Sequence, residues 1–379
     1  QLARLAYHYL EAAPLLPIDT GVQLALRAAE RLMQQLGFAE AATLLERAVN
    51  AAQSAVLPEL VQYELFLALG RAQILCGNTD QGKRMCERAA ALARRLNSPE
   101  LFSRAAVTHG SEFTPGRRDQ SLIELLQEAL QVLPPTDHPL RAWVMARLAA
   151  AVQPAPDPQE PVAMARTAIA MARSLGDPDL LRTVLLAACS AFSNFASAHE
   201  CRQLNQELVE LAVLAQDHLQ AQRAHLRLVF DCLDLGDLVA ADANIEAYAV
   251  LSQSFRQAQY QWPERLLRAM RALMTGQFSA AEELADEAFG RPVGQPDAAA
   301  GAHHAPRFQQ VVVGLLVQQV REHREEAREV GAVVGVGDAD VLDEREAPVR
   351  RAVFRRVLQQ LDQPVAEDHL ARRRRDRHL

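Results

Sequence analysis

The sequence predicts an all-α array of repeated helix pairs, and three observations predict it. Apolar residues make up 49% of the 379 residues while aromatics are only 5%. Ala- and Leu-rich sequence with few aromatic and β-branched residues favours helix. Proline followed by an acidic or apolar residue recurs as Pro58-Glu59-Leu60, Pro99-Glu100-Leu101, Pro139-Leu140 and Pro178-Asp179-Leu180, at spacings of 41, 40 and 39. Within that period a fixed pattern returns: Gly, a large apolar residue, a small residue three on, a large one, then usually Ala.

Each such proline suits the first turn of a helix, where its missing N–H has no partner to lose. The boundaries not marked by proline are expected near 218 and 258. There Gln216-Asp217-His218-Leu219 and Gln257-Ala258-Gln259-Tyr260 break the apolar period. In chain order, Phe38, Ala41, Leu45 and Ala48 follow Leu36-Gly37 as the second helix of a first pair. Tyr63 to Leu96 is the clearest unit. Phe66, Leu69, Gly70, Gln73 and Ile74 form a helical stripe, Gly77-Asn78-Thr79-Asp80 a tight turn with Asx-type capping, and Gly82, Met85, Cys86 and Ala89 the returning face. Leu238, Ala241, Ile245 and Tyr248 follow Gly236-Asp237, and Phe278, Ala281, Leu284 and Ala288 follow Gly276-Gln277. No single pair buries its own apolar face, so neighbours must stack, in about seven pairs.

Composition narrows the function. The net charge is −7, so no global basic field exists for direct binding of nucleic acid. No run approaches the roughly 18 apolar residues of a membrane span. The start, Gln1-Leu2-Ala3-Arg4, has no basic region followed by an apolar core, so a cytoplasmic protein is expected. It also lacks an initiator methionine, which suggests processing or a fragment of a longer frame. The five cysteines, Cys76, Cys86, Cys189, Cys201 and Cys232, form no CxxC pair and read as small buried hydrophobes.

No motif assembles a catalytic site. Gly77-Asn78-Thr79-Asp80-Gln81-Gly82-Lys83-Arg84 approaches the phosphate-binding G-x-x-x-x-G-K-[ST] loop, but Arg84 replaces the hydroxyl residue and the preceding segment is helical. The glycines from Gly331 through Gly335 and Gly337 to Asp340 are not in dinucleotide-binding order. His303, His304 and His323 lack the spacing of a zinc site. Arg372-Arg373-Arg374-Arg375-Asp376-Arg377 reads as a solvated end. His199-Glu200 has no second histidine in metalloprotease register, and Glu264/Arg268 is a helix-face pair. No catalytic residue, cofactor or metal is assigned.

The better candidates are basic and aromatic residues on first helices. Arg141, Trp143 and Arg147 share one helix, and Arg223, Arg227 and Asp231 lie at i, i+4, i+8 on another. First helices of stacked pairs line the concave groove, where a protein or peptide ligand docks.

Leu69-Gly70 and the small residues Ala41, Ala48, Ala89, Ala241 and Ala281 resemble tetratricopeptide repeats, with Phe66 at the usual early Trp position. The 40-residue period resembles the helical-repeat region of large bacterial signal-transduction ATPases. Leu5-Ala6-Tyr7-His8-Tyr9-Leu10-Glu11-Ala12-Ala13 resembles the junction between their ATPase and their repeats. The resemblance implies a right-handed tetratricopeptide-like solenoid over 21–298, with residues 1–20 a connector from a missing upstream domain. It implies a non-catalytic interaction and sensing scaffold, the regulatory region of an ATP-dependent signalling or transcription regulator, with the neighbouring ATPase domain as a second partner. Two alternatives stand beside it: the regulatory part of a nucleotide cyclase or kinase, and a free-standing adaptor.

Residues 299–379 differ. They contain no Ser, Thr, Asn, Ile, Lys, Met, Cys, Trp or Tyr and are rich in Arg, Val, Ala and Gly. This atypical segment reads as GC-rich sequence translated out of frame, or as a low-complexity tail.

Overall fold

In a computed structural model of the chain, seven first helices begin at Ile18, Glu59, Pro99, Pro139, Pro178, His218 and Ala258, each 39 to 41 residues after the last. The structure describes residues 2–12, 17–53, 55–112, 118–193, 195–256 and 258–288. Helix α1 (Leu2–Glu11) precedes seven pairs: α2 (Ile18–Gln34) with α3 (Phe38–Ala52), α4 (Glu59–Leu75) with α5 (Thr79–Arg95), α6 (Pro99–His109) with α7 (Gln120–Val132), α8 (Pro139–Ala151) with α9 (Gln159–Leu175), α10 (Pro178–Phe192) with α11 (Ala198–Leu214), α12 (His218–Asp234) with α13 (Leu238–Ser252), and α14 (Ala258–Met274) with α15 (Phe278–Ala288). The all-α repeat array read from the sequence is the fold, and the unmarked boundaries near 218 and 258 coincide with the starts of α12 and α14.

The chain divides into two compact units, one of residues 1–113 and 118–260, the other of 114–117 and 261–379. In the first, consecutive helices pack on one another and build three apolar cores along the array. One joins α1 to α4, centred on Ala25, Leu45 and Leu69. The next joins α4 to α8, around Tyr63, Phe102 and Leu126. The third joins α8 to α12, around Ile169, Leu185, Phe192 and Leu208. A fully buried leucine contributes about 1.5–3 kcal/mol. In the second unit, Ala269 and Ala285 pack with Leu266 and Leu284. Residues 289–379 lie outside the described residues.

Local chemistry sets the helix ends. Pro99, Pro139 and Pro178 occupy first turns. Asp119, Asp177, Asp217 and Asp237 cap their helices by accepting backbone N–H groups, each worth about 1 kcal/mol. Two expectations need correction. Asn78 gives α5 no side-chain cap; the turn is made by Gly77 at φ 99°, a conformation that needs no side-chain help from a glycine. Leu238, read as a core position, is 43% exposed because it sits in the first turn of α13, beyond the packed stripe of Ala241, Ile245 and Tyr248.

Gly70 and Gly82 let α4 and α5 touch. A Cβ on Gly82 would lie 2.6 Å from the Gly70 carbonyl and 2.5 Å from Ile74 Cγ1. Neighbouring repeats are tied by polar contacts at near-constant separation. Tyr63 Oη donates to the Leu101 carbonyl, and Gln222 Nε2 donates to the Tyr260 carbonyl. Both run from the fifth residue of one first helix to the third of the next. The capping aspartates are held from behind: Lys83 pairs with Asp119, Arg182 with Asp217, and Arg202 with Asp237.

The first unit also closes on itself. Tyr260 Oη donates to the Leu75 carbonyl at 2.8 Å, and Phe38, Leu75, Phe255 and Tyr260 form one apolar cluster. Arg256 pairs with Glu40 beside it.

Candidate functional site

Buried polar side chains concentrate on the first helices. Gln73, Ser103, His109, Arg147, Ser190 and Gln222 are buried there, whereas the second helices bury only Asn205 and Ser252 among polar residues. A buried polar group costs free energy unless it is hydrogen-bonded, so each invites an accounting of its partners.

The densest group lies where α8, α10 and α12 meet the end of α6. The helical register i, i+4, i+8 puts Arg223, Arg227 and Asp231 on one face of α12. Arg223 donates to Glu112 Oε2 at 2.6 Å and to the Ser111 carbonyl at 3.4 Å, reaching the segment just after α6. Arg227 donates to Ser190 Oγ of α10 at 2.6 Å, while its other terminal nitrogen, Nη1, is buried and unbonded. Asp231 accepts from Asn205 Nδ2 of α11 at 2.7 Å. Arg147 of α8 is 7% exposed. Its stem passes Gly110, where a Cβ would stand 3.3 Å from Arg147 Cδ, and its Nε is buried with no acceptor.

The electrostatics follow from crowding. Burial, then Arg223 and Arg227, lower Arg147 to about 10, against the pull of Glu112. Burial also lowers Arg227, assisted by Arg223 and opposed by the Cys189 and Asp231 side chains. For Arg223, burial is outweighed by Glu112 together with Tyr260 and Asp217, which raise its pKa. Burial pushes Asp231 up to about 6, against the hydrogen bond from Asn205 and the attraction of Arg227. Next to this group, His109 is 1% exposed. Its Nε2 lies 3.4 Å from Glu87, and burial followed by Lys83 lowers its pKa.

Of the six candidate residues, Arg147, Arg223, Arg227 and Asp231 are brought together. Trp143 is half-buried one turn before Arg147 and packs on two cores, with its Nε1 buried and unbonded. Arg141 turns elsewhere: Nη1 donates to the carbonyls of Leu130 and Pro134, at the end of α7, where a cation favours the helix dipole. Glu112, Ser190, Asn205 and His109 escaped the sequence reading. Only His109, an ionisable residue in register with the apolar Phe102, Ala105 and Ala106 of α6, carried a local signal.

The remaining motifs have structural roles. Lys83 of the phosphate-loop-like stretch pairs with Asp119, and its glycines serve the turn and the α4–α5 contact. Burial raises the thiols of Cys86, Cys189 and Cys201 to about 12, so they stay protonated. Among the described residues, no three His, Cys, Asp or Glu side chains are placed to hold a metal, and no helix is long and apolar enough to cross a membrane. The histidines 303, 304 and 323, the glycines 331–337 and the arginines 372–377 lie outside the described residues.

No family model and no curated protein matches the sequence. Solved structures match the fold. The crystal structure of NprR in complex with its cognate peptide NprX superposes with a TM-score of 0.54 at 13% identity, covering 82% of this chain and 92% of that one. A Rap protein complexed with competence and sporulation factor gives 0.49 at 12% identity, over 85% and 98%. A signal-transduction ATPase with a tetratricopeptide repeat sensor, from Pyrococcus horikoshii, gives 0.49 at 12% identity, over 95% of this chain and 54% of that one. At such identities the likeness is one of fold: a tetratricopeptide-like helical-repeat array.

Proposed function

We propose that this array is a non-catalytic interaction and sensing scaffold that takes a peptide, or a peptide-like segment of a partner protein, on its first helices. The observation that carries the reading is the group on α8, α10 and α12: polar side chains buried on the first helices of a repeat array, with donors that nothing in the described chain satisfies. A purely structural array gains nothing from such groups, because each unbonded buried donor costs roughly 1–3 kcal/mol. NprR, of similar fold, is a protein seen with a bound peptide.

The finer reading places the array over 21–298, after a connector at 1–20, in an ATP-dependent multidomain regulator of signalling or transcription. A ligand there switches output only by favouring one arrangement of array and ATPase over the other. The opening Leu5 to Ala13 stretch supports this reading.

The test is selection of a random peptide library on the full 379-residue chain, followed by calorimetry with wild type, Trp143→Ala and Arg227→Met. The reading expects enriched peptides whose affinity falls at least tenfold in both variants. Peptides unaffected by both changes, or no enrichment at all, would remove it.

A further inference from the structure

We infer that His109 is a proton-operated release for the contact between Arg223 and Glu112: when its ring takes up a proton, the last turn of α6 gives way and Glu112 leaves Arg223. This goes beyond the peptide reading and does not depend on it.

The geometry begins with a helix cut short. α6 has 11 residues, where α2, α4 and α12 have 17. His109 is its last residue. The chain then turns off at Gly110 and brings the Ser111 carbonyl and Glu112 onto Arg223. That turn is lightly held. The Gly110 N–H donates to the Ala106 carbonyl at 3.3 Å and the Ser111 N–H to the Thr108 carbonyl at 3.1 Å, both at the long end of the range for such bonds. Gly110 has no room to shift inward, since a Cβ there would lie 2.8 Å from Leu122 Cδ1 and 3.3 Å from Arg147 Cδ. The His109 ring, 1% exposed, is the side chain that anchors this turn.

The site suits a neutral ring. His109 Nε2 lies 3.4 Å from Glu87 Oε1 of α5, and Nδ1 is buried with no partner. A neutral ring leaves only an acceptor unmet there, whereas an imidazolium carries a second N–H that would point at nothing. The charges acting on the ring are Lys83 and Glu87 of α5 and Asp119 at the start of α7; α4 adds none among the described residues, and Arg147 of α8 stands against Gly110. Asp119 is already taken by Lys83 and by the Leu122 N–H. Burial, then Lys83, lower the pKa of the ring, against Asp119 and Glu87. Glu87 is half exposed. A protonated ring therefore finds counter-charge and water together by swinging out toward Glu87, and residues 110–112 lose their anchor.

An ordinary histidine titrates near neutrality, so a modest fall in pH moves it. Above the folded midpoint of His109 the Arg223–Glu112 contact is made; below it the contact is released. Linkage makes the coupling reciprocal: whatever weakens the contact makes the proton easier to add. Glu112→Gln separates two effects by sign. By charge alone, removing a nearby anion makes His109 harder to protonate. Through release, it makes His109 easier to protonate.

The test follows both ends by NMR in the full 379-residue chain. Carbon-13 histidine reports the protonation of His109, assigned by its loss in His109→Gln. Nitrogen-15 arginine reports the Arg223 guanidinium, assigned by its loss in Arg223→Lys. As pH falls from 8 to 4, the slowly exchanging Arg223 Nη protons are expected to vanish with the midpoint of His109. In Glu87→Gln, at a half-exposed position, both midpoints move down together by roughly half a pH unit or more. In His109→Gln the Arg223 signal persists, and in Glu112→Gln the His109 midpoint rises. Asp231→Asn, which removes the carboxyl raised to about 6 on α12, leaves the coincidence intact. An Arg223 signal unmoved while His109 titrates, a loss that survives in His109→Gln, or a His109 midpoint that falls in Glu112→Gln overturns the release. Global unfolding at the same midpoint, read by far-ultraviolet circular dichroism, overturns it too. Should His109→Gln fail to fold, Glu87→Gln decides: midpoints that do not move together end the proposal.

Discussion

Arg223 on α12 donates to Glu112, 111 residues earlier in the chain, at 2.6 Å. That single contact joins α12 to the segment just after α6, three repeats earlier, so the first unit curls tightly enough for these side chains to meet. The pair is part-buried, and leaving Arg223 there without its carboxylate costs more than the pair contributes. Glu112→Gln keeps the shape and removes the charge. It is expected to lower stability by about 1–3 kcal/mol, read as a shifted urea midpoint at unchanged slope. An unchanged midpoint would mean that water already satisfies Arg223.

Arg147→Met has the opposite sign. Its guanidinium is buried and unbonded, and replacing a poorly compensated buried charge by a long apolar side chain is often stabilising by about 1–4 kcal/mol. A rise in melting temperature is expected, by roughly 2–4 °C for each kcal/mol in a domain of this size. A clear fall would show that Arg147 is structurally satisfied.

Gly82→Ala places a methyl group within 2.6 Å of a backbone oxygen of α4. Neither helix backbone yields cheaply, so a loss of about 1–3 kcal/mol is expected. Gly176→Ala is the control for space: its Cβ meets nothing within 4 Å, and only the positive φ of 70° opposes it. Calorimetric scans of both variants separate crowding from backbone strain. Equal losses would argue against the tight α4–α5 contact.

Asp231 and His109 pull the pH profile in opposite directions. Burial raises Asp231 to about 6 from an unfolded value near 3.8, so the folded state binds the proton more tightly. Its penalty is absent below about pH 4 and complete above about pH 6, and stability falls across that window. His109 is lowered from 6.5, chiefly by burial. Its neutral form stabilises the fold above 6.5, and that contribution is lost as pH falls through the folded value. Asp231→Asn is therefore expected to gain most over wild type above pH 6, and His109→Gln below pH 6. Denaturation midpoints from pH 4 to 8 check both; parallel profiles for the variants and wild type would refute the assignment.

The pairs were legible because each helix announces itself within about 40 residues. Pro99, Pro139 and Pro178 mark first turns, and the Gly-apolar-small pattern marks second helices. The shared face of Arg223, Arg227 and Asp231 was legible for the same reason, since helical register is local. What Arg223 and Arg227 touch was not. Ser190 lies one repeat back and Glu112 three, and which of them meets an arginine depends on the curl summed over all intervening helix contacts. Arg141 shows the limit within one helix: it stands near Trp143 and Arg147 in sequence, yet it bonds the end of α7.

An open stack of repeats has two free ends, and thermal fraying starts at each, because a terminal repeat has one neighbour. The bond from Tyr260 to Leu75 and the cluster around Phe38 and Phe255 remove that freedom from the first unit. Its early and late repeats are neighbours in space, so loosening one exposes the other. The unit then melts as one cooperative block, and not repeat by repeat. Closing it brings together residues 185 apart in the chain, a loop-closure cost added to packing that is otherwise between helices close in sequence.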